Sequence, residues 1–77
     1  MTDENAVMLT GDRLIYMANQ IARNLETKGR DEAVAATVDH IARFWDPQMR
    51  RRIVELAAER PDTLSPIAAE AVRRTRA

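Results

Sequence analysis

The dipeptide Asp46-Pro47 sets the firmest constraint on how this chain can fold. A proline disfavours the α region for the residue before it, so Asp46 leaves helical geometry. An extended aspartate can accept a bond from an orphan amide of the next turn, which is the role of an N-cap. Pro47 then falls at the first helical position, where its missing N–H costs nothing. One helix stops at 45 and another starts at 47. Ser65-Pro66 repeats the device, Gly29 closes an earlier helix after Lys28, and Pro61 ends the third.

Between these stops the apolar residues follow helical spacing. Thr10 reads as the first N-cap, with Asp12 in the first turn, and Leu14, Met17, Ala18, Ile21, Ala22 and Leu25 form a stripe widened by Ile15. Asp31 reads as the cap of a second helix lined by Val34, Val38, Ile41, Ala42 and Trp45, with Phe44 at one edge. Met49, Ile53, Leu56 and Ala57 mark the third, with Val54 on its flank. Ile67, Ala68, Ala71 and Val72 mark the last. No alternating run of strand length appears. The expectation is an all-α fold, a small bundle of four short helices with Asp-Pro and Ser-Pro corners. Residues 1–9 form a polar N-terminal arm ending in Val7-Met8-Leu9, and residues 10–77 a single helical domain.

A chain of 77 residues makes one domain at most. Hydrophobic residues are 45%, but many are alanines, and there is one Phe, one Trp and one Tyr. Such a core is thin, and a chain of this size gains from a partner or a second copy. There is no cysteine, which removes disulfides, thiolate metal sites and iron–sulfur ligation from this chain. The start, Met-Thr-Asp-Glu-Asn, lacks the basic-then-apolar pattern of a secretory signal. No apolar run approaches the roughly 20 residues of a membrane span. A cytoplasmic protein without a membrane segment is expected. Twelve basic residues balance twelve acidic ones, so the global positive field of a nucleic-acid binder is missing.

Few side chains suggest chemistry. His40 is the single histidine and has no ligand set at metal spacing; it reads as surface or packing. Glycine loops for phosphate, serine–histidine–acid arrangements and paired carboxylates are all missing, so nothing argues for an enzyme. Arg50, Arg51 and Arg52 fan about 100° apart on a helix. Glu55 offers Arg51 and Arg52 local partners, whereas Arg50 reads equally as surface or as partner contact. Asn19 and Gln20 sit just beyond an apolar arc and read either as bonds within the domain or as contacts to another subunit. Trp45 and Phe44 read as core and core edge, with any exposed part an anchor for a partner. Two rival readings remain: a helix-turn-helix nucleic-acid binder with 47–60 as recognition helix, and a homodimeric helical interaction module.

Three segments together resemble a known family. They are Leu14-Ile-Tyr-Met-Ala-Asn-Gln-Ile-Ala22, His40-Ile-Ala-Arg-Phe-Trp-Asp-Pro-Gln-Met49 with Arg50-Arg-Arg-Ile53, and Leu64-Ser-Pro66 before an alanine-rich helix. In this order they resemble the delta subunit of soluble NAD-dependent, molybdenum-containing formate dehydrogenases. The resemblance implies a cytoplasmic complex that oxidises formate with NAD as acceptor. Molybdopterin guanine dinucleotide, iron–sulfur clusters, FMN and NAD would then lie in partner subunits, with no cofactor in this chain. The role implied is a non-catalytic accessory subunit that supports assembly, cofactor maturation or stability by binding the large catalytic subunit. The expected contact set is Met17, Asn19, Gln20, Phe44, Trp45, Met49 and Arg50.

Overall fold

A computed structural model describes residues 11–75. The N-terminal arm and the Thr10 cap lie outside the described residues. The first helix, α1 (Gly11–Leu25), buries Leu14, Ile15, Ala18 and Ala22, one stripe at helical spacing. Asp12 in its first turn and Arg23 in its last both suit the helix dipole. A 3₁₀ turn, Glu26–Lys28, carries the chain to Gly29 at φ 95°, ψ 154°. Positive φ is the reason for glycine there, since a Cβ strains that backbone. The Gly29 N–H donates to the Glu26 carbonyl at 3.1 Å, and the Gly29 carbonyl accepts from Ala33 N–H at 2.8 Å. The same residue ends one helix and starts the next.

The second helix, α2, spans Arg30–Phe44 with Gly29 in the cap position and no side-chain capping bond. Asp31 is therefore not the cap; it joins Glu32 in the first turn, where the dipole favours negative charge. Its buried face is also displaced from the sequence expectation. Ala33, Val34, Thr37 and Ile41 are buried, Val38 is half-buried and Ala42 is exposed. The cause is small side chains. α2 packs most extensively on the last helix, whose Ala68 and Ala71 are fully buried like Ala33 and Thr37. Short side chains on both sides let two backbones approach. The Thr37 hydroxyl donates to the Ala33 carbonyl at 2.7 Å, so its burial leaves no donor unmet.

Both proline corners form as expected. Asp46 caps the third helix, α3 (Pro47–Glu59), in extended geometry at φ −73°, ψ 167°, accepting the Met49 N–H at 2.8 Å. Ser65 caps the last helix, α4 (Pro66–Arg74), accepting Ala68 N–H at 3.2 Å. A second 3₁₀ turn, Pro61–Thr63, lies between them. No strand occurs among the described residues, and the architecture is the expected small all-α bundle.

α1 and α4 each touch all three other helices. The buried stripe of α1 meets Ile41, Trp45, Ile53, Leu56, Leu64, Ala68 and Val72 in one core. The approach of α1 to α3 is close: a Cβ on Gly11 would stand 3.0 Å from Leu56 Cδ2. Asp12 and Arg60, paired at 2.7 Å on the surface, mark the same junction. No helix among the described residues is long and apolar enough to cross a membrane.

Candidate partner-docking surface

Phe44 and Trp45 are consecutive residues with opposite fates. Phe44 is 71% exposed, the most exposed large hydrophobic among the described residues, while Trp45 is 4% exposed inside the core. The split follows from the helix end between them. Phe44 closes α2 in helical geometry, whereas Trp45 is extended at φ −93°, ψ 135°, and the change of backbone turns its ring inward. Phe44 leans on His40, with ring centroids 4.8 Å apart and planes tilted by 48°. Edge-tilted pairs of this kind are a favourable ring arrangement.

The corner beneath Phe44 is held by hydrogen bonds. The Asp46 carboxylate caps α3, and Arg50 N–H donates to the Asp46 carbonyl at 3.0 Å. The Arg50 guanidinium reaches back and donates from Nη1 to the Trp45 carbonyl. That bond supplies a partner to a carbonyl just past the end of α2, where the helical ladder provides none. Met49 is half-buried against the core and lines a shallow cleft of about 270 Å³ with Leu14, Asp46 and Arg52.

The expected contact set is therefore gathered only in part. Phe44, Trp45, Met49 and Arg50 meet at one corner, but Trp45 supports it from inside. Met17 is half-buried at the core margin of α1, and Gln20 is exposed on that helix. Asn19 faces elsewhere. Its Nδ2 donates to the Thr63 carbonyl at 2.8 Å, and its Oδ1 accepts the Ser65 N–H at 2.9 Å. Of the two readings open for Asn19, the structure shows the one within the domain.

The arginines of α3 do not make one basic strip. Arg52 pairs with Glu55 at 3.1 Å and lies 3.9 Å from Glu59; Arg50 is turned to the corner, and Arg51 is exposed. Glu55 thus serves Arg52 rather than Arg51. Further along, the Glu70 carboxyl is held below its usual range, first by the Arg74 hydrogen bond and also by the Arg73 charge, against some desolvation. Among the described residues no group of three or more His, Cys, Asp or Glu could hold a metal ion.

Two grooves escape sequence reasoning because each joins elements distant in the chain. One, about 420 Å³, runs between α3 and α4 past Val54, Ala57, Pro61, Leu64 and Val72. Val54, on the flank of its stripe, was the only hint of it. The other, about 490 Å³, lies between the last turn of α1 and the start of α4, with Arg23, Glu26 and Arg30 around its rim.

Comparison with protein families gives a match over residues 13–72 to the model described as NADH-dependent formate dehydrogenase delta subunit FdsD. Neither the curated proteins nor the solved structures give a match to the chain. The matched segment runs from the first turn of α1 into α4 and includes both proline corners.

Proposed function

Since the chain belongs to the NADH-dependent formate dehydrogenase delta subunit family, we propose that it is a non-catalytic accessory subunit docking on the large catalytic subunit of that complex. Membership makes the other subunits of the enzyme its partners. In this reading molybdopterin guanine dinucleotide, iron–sulfur clusters, FMN and NAD belong to those partners, and the complex is cytoplasmic. The carrying observation is the exposed Phe44 ring on a corner fixed from within by Trp45 and from the side by Arg50. An aromatic anchor on a preorganised backbone is what a docking surface requires. By binding the assembled, cofactor-competent form of the large subunit better than its alternatives, the helper shifts the population toward that form.

The test is capture of the enzyme from its native host by a tagged full-length chain, with Phe44→Ala alongside. The variant is expected to keep its helicity and thermal midpoint, because an exposed ring contributes little to folding, and to lose the large subunit from the captured material. Equal capture by both chains removes Phe44 from the interface. A wild-type chain that captures no formate dehydrogenase subunit sinks the reading. Trp45→Ala is the contrast: losing a buried tryptophan costs about 3–5 kcal/mol, so it should unfold the domain before binding can be read.

A further inference from the structure

The groove between α1 and α4 carries charge that the described residues do not neutralise. Among the described residues Arg43, Arg52, Arg60, Arg73 and Arg74 each hold a carboxylate. Arg23 and Arg30, both exposed, hold none among those residues, and both line this one groove of about 490 Å³. Glu26 is the single acid on the rim, so the groove is net cationic. Its floor is apolar: Ala22 is buried and Ile67 half-buried beside Pro66. Its wall is built before any ligand arrives, because Asn19 pins the main chain at Thr63 and Ser65.

Two guanidiniums over an apolar floor select a particular kind of visitor. Arginine matches a carboxylate with two parallel N–H bonds. The floor offers apolar surface to neighbouring side chains, and the acid on the rim penalises a continuous phosphate backbone. We propose that this groove receives an acidic segment of the partner subunit, a carboxylate flanked by apolar side chains, with Arg23 and Arg30 as its charge contacts. The proposal rests on the accessory-subunit reading and adds a second contact, distinct from the Phe44 corner.

The experiment measures the Kd of the full-length chain for formate dehydrogenase purified without it, at about 50 mM and about 500 mM salt. The double variant Arg23→Glu, Arg30→Glu is expected to bind on the order of tenfold more weakly at low salt and to lose the salt dependence shown by wild type. Arg23→Lys, Arg30→Lys keeps the charge without the paired geometry and should fall between them. Both positions are exposed, so the variants are expected to keep the wild-type circular dichroism, which is the check on their folding. If the Glu pair binds as wild type at both salt concentrations while Phe44→Ala does not bind, the groove proposal falls and the accessory reading stands. A wild-type chain that fails to bind overturns both.

Discussion

The side-chain amide of Asn19, in the middle of α1, holds the backbone at Ser65, the cap of α4: Oδ1 accepts the Ser65 N–H at 2.9 Å. Its other end donates to the Thr63 carbonyl at 2.8 Å. One side chain thereby uses both amide functions to position the last helix against the first, across a chain separation of 46 residues.

Asn19→Leu should destabilise the domain by about 1–3 kcal/mol, because the Ser65 and Thr63 groups lose their partners together. In a domain of this size each kcal/mol lowers the midpoint by about 4–8 °C. Asn19→Asp keeps an acceptor for Ser65 N–H but loses the donor to Thr63, so its midpoint is expected between the two. Thermal unfolding followed by circular dichroism ranks the three; equal midpoints would deny the clamp any energetic role.

The two glycines should fail in different ways. At Gly29 a Cβ meets nothing within 4 Å, but φ is 95° with ψ 154°, a backbone region that is essentially glycine-only, so Gly29→Ala carries backbone strain alone, about 1–3 kcal/mol. At Gly11 a Cβ would stand 3.0 Å and 3.2 Å from the two Leu56 methyls, and Leu56 is fully buried. Gly11→Ala therefore overpacks the α1–α3 junction, at about 1–3 kcal/mol. Urea titration gives both costs. Shortening the obstructing side chain with Leu56→Val should reduce the extra cost of Gly11→Ala and leave that of Gly29→Ala unchanged.

Acid should weaken the end of α4 in a defined window. Glu70 is charged more readily when folded, through the Arg74 hydrogen bond and then the Arg73 charge. A depressed carboxyl pKa contributes stability above the ordinary glutamate range and loses it as pH falls through the folded value. The pairs are surface pairs, so the effect is small. Carboxyl chemical shifts of Glu70 should titrate below those of an unpaired glutamate. Glu70→Gln should flatten the part of the stability-versus-pH curve that this group supplies.

The two corners were legible because proline and its neighbour act locally: Asp46-Pro47 and Ser65-Pro66 state their geometry in two residues each. Trp45 was legible as core from the α2 stripe; Phe44, expected at the core edge, instead stands on the surface, because the helix ends between the two rings and only the second turns inward. Thr37 was not, since nothing in a threonine's polarity announces full burial, and only its bond to Ala33 makes that burial cheap. Ala42 was misplaced because alanine fits either side of a helix, and the partner helix decides. Asn19 could be read as an amide needing a partner, but Thr63 and Ser65 become its partners only once α4 has folded back. Arg23 and Arg30 share a groove for the same reason: its floor is completed by Pro66 and Ile67, far along the chain.

The bond from Arg50 to the Trp45 carbonyl has a thermodynamic consequence for whatever meets the corner. A loop that must be frozen on contact loses freedom, and that loss is subtracted from affinity. Here the bend is already locked on both sides of the exposed ring. Beyond the overall freedom that any association gives up, ordering this corner then costs little more than the quenching of the two rotations of the Phe44 side chain.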